Sequence, residues 1–317
     1  MNNNRMIAAP APHLHSEDST RKIMLDVIIA MVPAALASIW LFGWRALCLL
    51  LICVASCVAT EYLSCAVLKK RSSVGDLSCI VTGMLLAFNL PAGIAWWKAV
   101  LGGVVAIAVV KMMFGGIGHN FVNPALVGRI VLMVSFPEDM NTWPLPFPHV
   151  DAVASATPLE MLGTEALATE YPLWRMLLGL RPGALGETCA VALLLGFAYL
   201  LWRRVITPVI PLTFMGTVAV VALLAGEDPL YHLLSGGLLL GAIFMATDYT
   251  TTPITTAGHV VFGIGCGLLT MLIRCHGSLP EGVSFAIVLM NVLSPLIERV
   301  TRPVAFGVKR RWLRREK

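Results

Sequence analysis

The amino-acid sequence predicts an all-α integral membrane protein of about ten transmembrane helices, arranged as a 5+5 inverted repeat with broken helices. Composition is the first reason: 57% of the 317 residues are hydrophobic and 13% are charged, against about 25% charged residues in soluble domains. The second reason is a succession of apolar runs near membrane-spanning length, and the third is the uneven distribution of lysine and arginine among the loops. Lipid is therefore expected to be the main solvent of this chain.

Apolar runs give the boundaries of the predicted helices, because roughly 20 apolar residues cross a bilayer as a helix. The third and fifth segments are short, and we expect them to pack against neighbouring helices. The ten segments are 23–42, 45–68, 76–89, 97–113, 124–136, 185–202, 206–225, 230–246, 258–275 and 283–300.

Basic residues in the connections predict the orientation. Lysine and arginine cluster at 21–22, 69–71, 203–204 and 302–317, whereas 137–184 carries six acidic residues and only two arginines. The positive-inside rule then places both termini in the cytoplasm and the long 137–184 loop outside. We accordingly divide the chain into a cytoplasmic segment 1–22, a membrane domain 23–301 and a basic cytoplasmic tail 302–317.

A faint internal similarity supports two inverted halves. Five segments per half is an odd number, so equivalent halves would face opposite ways across the membrane. Residues 82–86 (TGMLL) and 235–240 (SGGLLL) resemble each other, and each precedes a polar break that contains proline, at 89–91 and 248–253. Inverted repeats with broken helices are a common way to build a site in the middle of a membrane.

The polar stretch DAVASATPLE, residues 151–160, is the first candidate site. Thr157 lies between small residues and a proline. Small neighbours allow a bulky group to approach the backbone, and proline restricts the local turn. We therefore predict that Thr157 anchors a large group.

Two polar motifs on the predicted cytoplasmic side form the second candidate site. In GGIGHNFVNP, residues 115–124, glycines permit close approach while Asn120 and Asn123 offer donors and acceptors. Asp248 follows the eighth segment among threonines, where it could hydrogen-bond a heteroaromatic ring or bind a cation. An ordinary tight turn and an ordinary helix exit are the alternatives for these two motifs. Arg129, inside the fifth segment, is a further candidate cofactor-binding residue: it needs a polar partner such as a carboxylate or a phosphate, and the alternative is that it extends to the interface.

Other residue types indicate little chemistry of their own. Four charged residues at or within segment ends, Asp26, Glu61, Lys111 and Glu298, are expected in ion pairs or at interfaces. Eight cysteines form no C-x-x-C pair, and we predict neither a metal site nor a disulfide framework. No phosphate-binding loop, nucleophile motif or zinc motif occurs. The basic tail is typical of a membrane or partner anchor rather than of a nucleic-acid binder.

Taken together, residues 151–159, 115–124 and 244–248 resemble the RnfD/NqrB family, whose members belong to the Rnf electron-transport complex and to the sodium-pumping NADH:quinone reductase. The resemblance implies FMN esterified through its phosphate to Thr157, within a motif that includes Asp151 and Ser155. Ala154 and Ser155 stand where the family pattern has a hydroxyl residue and glycine. Neutralisation of the linking phosphate would then fall to Arg175 or Arg181.

The resemblance also implies a function. It predicts a flavoprotein subunit that is not catalytic alone, in a redox-driven translocase of the bacterial inner membrane that passes electrons between ferredoxin and NAD⁺. The other Rnf proteins (RnfA, RnfB, RnfC, RnfE and RnfG) and the lipid bilayer would be its partners. A second, noncovalent flavin (riboflavin) is expected near Asn120, Asn123 and Asp248. The inverted-repeat outline alone would equally suit a solute channel or transporter, and a structural scaffold is a third interpretation.

Overall fold

A computed structural model describes residues 19–70, 73–147, 157–159, 161, 169–277 and 281–303. The secondary structure of these residues is almost wholly helical. The predicted Asp151 and Ser155, the segment 1–18 and the tail 304–317 lie outside the described residues.

Four of the described helices are long and apolar enough to cross a membrane by themselves. They are α1 (Thr20–Phe42), α2 (Trp44–Val67), α12 (Thr256–His276) and α13 (Val283–Thr301). Shorter apolar helices lie between them: α3 (Ser78–Phe88), α5 (Pro124–Ser135), α8 (Ala190–Trp202) and α9 (Val209–Ala225). The lengths and composition of these helices agree with the predicted class, an all-α integral membrane protein.

The other helices are short or irregular. The helix α4 (Trp96–Val104) continues as a π-helix over Val105–Met112, and α11 (Leu238–Leu240) continues as a π-helix over Gly241–Met245. Three more α-helices are short, α6 (Pro137–Met140), α7 (Leu173–Leu178) and α10 (Pro229–Leu234), and a 3-10 helix spans Val74–Asp76. Widened π turns are often found at functional sites, and residues of both π segments line the larger cavity described below.

Local sequence explains where the principal helices begin and end. The Ser19 side chain accepts from the Lys22 backbone N–H and caps α1, which ends at Gly43 with φ of 65°. Asn123 caps α5 by accepting from two backbone N–H groups, and Pro124 occupies the first turn, where no donor is needed. These caps give hydrogen-bond partners to backbone groups at the helix ends, which lipid cannot do.

Two predicted boundaries were wrong. The sixth segment, predicted from residue 185, begins as a helix only at Ala190, because Gly179 to Cys189 form a loop that packs on other elements. Ser38 donates to the Leu185 carbonyl at 2.6 Å, and the Gly186 N–H donates to the Phe88 carbonyl at 2.9 Å. The eighth segment, predicted as 230–246, is interrupted at residues 235–237, where both glycines have positive φ.

The ends of two short helical segments meet in the interior. Asn89, which follows α3, donates to the Met245 sulfur at 3.6 Å, and Met245 ends the π segment that follows α11. Asn123, which begins α5, donates to the Met245 carbonyl at 3.3 Å. Arg129 of α5 donates to the Asn89 side chain at 2.7 Å. Irregular backbone is thus enclosed by protein, which is where a membrane protein tolerates it.

Candidate functional site

Thr157 lies in a pocket of about 250 Å³ and is only 8% exposed. Residues from four separate parts of the chain form its wall, so the pocket depends on the tertiary structure. The lining residues are Thr157, Pro158, Leu159, Arg181, Pro182, Gly183, Glu187, Gly236 and Glu281.

Arg181 is the cation that the 179–189 loop holds at this pocket. It is 3% exposed, and it donates to the Glu187 carbonyl at 2.6 Å and to the Thr188 carbonyl at 3.4 Å. Burial lowers the pKa of Arg181 to about 10, and the charge of Glu187 opposes that shift. Arg175, the other predicted candidate, is exposed and donates to the Glu170 carbonyl. The structure therefore brings Arg181, and not Arg175, to Thr157.

Glu187 is held against the interruption between α10 and α11. Its Oε1 accepts from the Ala184 N–H at 2.8 Å. Its Oε2 lies so close to the backbone of Gly237 that a Cβ there would be 2.5 Å away. Gly237 has φ of 64°, so both its conformation and its contact with the carboxylate require glycine.

Arg274, near the end of α12, closes the same region from another side. It donates to the His232 carbonyl at 2.8 Å and to the Ser235 carbonyl at 2.9 Å. A Cβ on Gly236 would lie 2.8 Å from Leu159 and 3.1 Å from the Arg274 guanidinium. The lack of a side chain at Gly236 thus allows Leu159, two residues after Thr157, to pack closely against this break.

Arg129 reaches the pocket through Glu281. It is 2% exposed, forms an ion pair with Glu281, and donates to Ser284 at 3.1 Å as well as to Asn89. The predicted polar partner of this intramembrane arginine is therefore a buried carboxylate. Because Glu281 lines the cavity together with Thr157, two residues singled out separately in the sequence belong to one site.

A second cavity, of about 800 Å³, lies at the predicted cytoplasmic side. Polar groups occupy one part of its wall and apolar side chains the rest. The polar members are Ser78, Thr82, Lys111, Asn120, Asn123, Thr247, Asp248, Tyr249 and Thr250; the apolar members include Met24, Val27, Leu85, Ile243 and Phe244. Asn120, Asn123 and Asp248 therefore line one cavity.

Hydrogen bonds organise the polar wall of this second cavity. Asp248 accepts from the Thr250 hydroxyl at 3.1 Å, and Asn120 donates to that hydroxyl at 3.0 Å. Burial raises the pKa of Asp248, while its bonds to Thr250 oppose the shift. Lys111 donates to Glu61 at 2.6 Å and to Ser78 at 2.7 Å. The wall thus offers donors and acceptors whose positions are already set.

Sequence reasoning missed three residues of the first site. Glu187 fell inside the predicted sixth segment, and a carboxylate within an apolar run is the signal that would have identified it. Arg274 and Glu281 were interpreted only as loop charges. Their proximity to Thr157 left no signal in the sequence, because 117 and 124 residues separate them from it along the chain.

Comparison with known proteins adds an independent finding. Residues 7–307 match the NQR2, RnfD, RnfE family. The chain belongs to this family. The predicted family resemblance, made from three short motifs, is therefore confirmed.

Relatives within this family cover nearly the whole chain. The D subunit of the Na⁺-translocating ferredoxin:NAD⁺ oxidoreductase complex of Acetobacterium woodii is 46% identical over 311 residues, 97% of each chain. The D subunit of the proton-translocating ferredoxin:NAD⁺ oxidoreductase complex of Clostridium ljungdahlii is 40% identical, over 95% of this chain and 96% of that one. The D subunit of the ion-translocating oxidoreductase complex of Escherichia coli K12 is 35% identical, over 94% and 97%.

These names bear on the alternatives left open by the sequence. All three relatives are named as subunits of oxidoreductase complexes, so a channel or scaffold without a redox role is not favoured. Two of them are named for different ions, Na⁺ and H⁺. Similarity to these relatives therefore does not select the coupled ion.

Proposed function

We propose that this chain is the D subunit of an ion-translocating ferredoxin:NAD⁺ oxidoreductase and relays electrons within the membrane part of that complex. Its near full-length similarity to proteins that carry this name supports the assignment. On this proposal RnfA, RnfB, RnfC, RnfE and RnfG are its partners, and the chain has no catalytic activity alone. The described residues provide pockets suited to holding redox groups, which is the task of a relay subunit.

The first redox group in this proposal is FMN, joined through its phosphate to the Thr157 hydroxyl. The single observation that carries this assignment is the position of Thr157 in a buried pocket together with Arg181 and, through Glu281, with Arg129. Guanidinium groups are the usual protein partners of phosphate. Asp151 and Ser155 complete the proposed motif. When bound, the flavin supplies reversible electron transfer, while the chain supplies attachment, orientation and charge.

The second redox group in this proposal is a noncovalent flavin, riboflavin, in the 800 Å³ cavity. Its wall combines apolar side chains with a small number of polar groups, as pockets for small organic ligands do. Apolar side chains such as Leu85 and Phe244 would cover the flat faces of the ring system, and Asn120, Asn123 and Asp248 would hydrogen-bond its polar edge.

We further propose ten membrane crossings in two inverted halves, with both termini cytoplasmic and Thr157 external. The charge distribution in the loops supports the orientation. A contact between equivalent positions supports the repeat: the third and eighth segments meet near their ends, where Asn89 donates to the Met245 sulfur.

Flavin fluorescence of the denatured polypeptide tests the covalent assignment. The chain, made together with a flavin-transferring enzyme, should give a fluorescent band in a denaturing gel. Thr157→Ala should abolish that fluorescence while leaving membrane insertion intact, because the phosphoester needs the hydroxyl. Thr142→Ala, at an exposed threonine in the same long loop, is the matched control and should remain fluorescent. If the Thr157→Ala band is still fluorescent, Thr157 is not the residue that carries the flavin.

Flavin extracted from the same preparations tests the second cavity. Denaturation should release riboflavin from the Thr157→Ala chain as it does from the unchanged chain, because the two proposed sites are separate. Phe244→Trp fills part of the second cavity and should reduce the released flavin while leaving the covalent band unchanged. If the Phe244→Trp chain releases as much flavin as the unchanged chain, the noncovalent flavin lies elsewhere.

A further inference from the structure

A groove on the surface of the protein lies between the start of α2 and the connection that leads into α4. Two tryptophans stand at its rim, Trp44 at the start of α2 and Trp96 at the start of α4, and they are 73% and 66% exposed. Arg45, also exposed, is the charged member among the described residues that line the groove. Both helix starts belong to the surface that the loop charges predict to be external.

Apolar side chains line the inner part of this groove. Leu49, Ala92 and Ile94 are each no more than 8% exposed. Ile52 extends the lining along α2, about 10 Å from Arg45 at the helical rise of roughly 1.5 Å per residue. The groove therefore has a charged and aromatic mouth and an apolar interior.

These features fit an anion that also carries an apolar chain. Tryptophan side chains favour the level of the lipid headgroups, and a guanidinium group is a usual protein partner of phosphate. The helices α2 and α4 both begin at the groove, and helix N-termini favour negative charge. With a volume of about 450 Å³, the groove has room for a phosphate group and the first part of an acyl chain.

Two other occupants fit the groove less well. A free phosphate ion would leave the apolar interior without a ligand. A membrane-spanning helix of another subunit would be expected to meet small residues, because these line close helix contacts in membranes, whereas two large tryptophans flank this groove.

We propose that this groove is a binding site for an anionic phospholipid. The lipid phosphate lies at Arg45 between the two tryptophans, and one acyl chain follows Leu49 and Ile52 along α2. Binding of the lipid does not depend on either proposed flavin, because the residues of the groove are separate from those of both flavin cavities.

Native mass spectrometry of the full-length chain, purified in detergent and supplied with equal amounts of phosphatidylglycerol and phosphatidylcholine, tests the headgroup contact. The unchanged chain should retain phosphatidylglycerol in preference to phosphatidylcholine. Arg45→Gln should lower this preference about five-fold, because one basic residue near an anionic headgroup contributes about that factor. Arg175→Gln, at an exposed arginine that lies over the exposed Trp174 ring, is the matched control and should keep the preference.

Gly93→Leu tests the groove itself. Gly93 lines the groove and is exposed, and a Cβ there would meet no atom within 4 Å. The added side chain therefore occupies the groove without displacing protein atoms, and we expect the retained lipid to be lost while the Tm of the lipid-free chain stays the same. Gly75→Leu, at an exposed glycine that also has open space around it but lies outside the groove, should retain the lipid.

A measurement on the unchanged chain keeps the test valid if the variants fail to fold. Cys48 lines the groove and is partly buried, whereas Cys275 lies outside it and is exposed. In bilayer discs, replacing part of the phosphatidylcholine by phosphatidylglycerol should slow the reaction of Cys48 with a maleimide relative to that of Cys275, because the bound lipid covers Cys48. Peptide mass spectrometry measures both reactions in one sample.

Three results would overturn the lipid site: an unchanged lipid preference in Arg45→Gln, full lipid retention in Gly93→Leu, or a ratio of Cys48 to Cys275 labelling that does not respond to phosphatidylglycerol. Protection of Cys48 only in the assembled complex, and not by lipid in the isolated chain, would assign the groove to a contact with another subunit and would also overturn the proposal.

Discussion

At the scale of single residues, charges inside this protein are organised in buried pairs and clusters. Lys111 and Glu61 form an ion pair at 2.6 Å, with their side chains 3% and 0% exposed. Asp26 pairs with Arg203, whereas Glu298 forms no ion pair with the residues that the structure describes. The predicted pairing of charges at the segment ends is thus confirmed for Asp26, Glu61 and Lys111. The pair of Lys111 and Glu61 is costly to break, because removing one partner leaves the other charge buried.

Arg129→Met should be the most destabilising change at this scale. It removes the partner of Glu281 and the donor to Asn89 and Ser284. We expect a loss of about 3–5 kcal/mol in the free energy of unfolding, the range for a broken buried ion pair, measured by denaturant unfolding in detergent.

Two further variants make that prediction specific. Arg175→Met, at an exposed position, should change the unfolding free energy by less than about 1 kcal/mol. The double change Arg129→Met with Glu281→Gln should recover part of the loss, because no unpaired buried charge remains. Additive losses in the double variant would contradict a direct interaction between Arg129 and Glu281.

At the scale of secondary-structure elements, interruptions position the functional groups. The break between α10 and α11 brings Gly236 and Gly237 against Leu159 and Glu187. An uninterrupted helix would carry side chains at these positions and would exclude the Thr157 segment. The two π segments position side chains at the second cavity. Lys111 lies in one of them and Phe244 in the other, and both residues line that cavity.

Gly237→Ala tests the importance of the break. The added Cβ would lie 2.5 Å from Glu187 Oε2 at a backbone φ of 64°. We expect a loss of about 1–3 kcal/mol in unfolding free energy together with a lower yield of covalent flavin, measured by denaturant unfolding and gel fluorescence.

Gly216→Ala, in the middle of α9, is the matched control for that change. Its Cβ would meet no atom within 4 Å, and alanine favours a helix by up to about 1 kcal/mol over glycine. It should leave stability and flavin yield unchanged or slightly raised. If Gly237→Ala behaves like this control, the close approach at the break does not matter for the site.

At the scale of the whole molecule, the two cavities lie on opposite sides of the point where the short helices meet. Asn89 and Met245 mark that point. The Thr157 pocket is bounded by the connections 179–189 and 235–237, and the second cavity is bounded by the starts of α1 and α5 and by residues 247–250. The proposed electron relay would use redox groups placed on the two sides of this point.

Thiol labelling tests the proposed orientation. Cys275 is an exposed cysteine next to Arg274, at the predicted external side. A membrane-impermeant maleimide should label it in intact cells, and Cys275→Ser should remove that label. Lys70→Cys, placed in the Cys275→Ser chain at the predicted cytoplasmic side, should react only after the cells are opened. The reverse pattern would invert the proposed topology.

Much of the fold was predictable from sequence because lipid imposes a simple requirement. Apolar runs must be helical where no water can satisfy the backbone, so all ten predicted segments contain helices. The two boundary errors share one cause. The loop that contains Glu187 and the break at Gly236 are apolar enough to resemble membrane helix, and only contacts with Phe88 and Leu159 reveal their irregular backbone.

The sequence by itself determined the helical membrane class, the family and the identity of Thr157 as a candidate anchor, because composition and short motifs are local properties. Only the tertiary structure decided that Arg181 rather than Arg175 faces Thr157, and that Glu187, Arg274 and Glu281 join them. The physical reason is that charge balance in a buried site is a sum over residues far apart in the chain, and only packing determines which charges enter that sum.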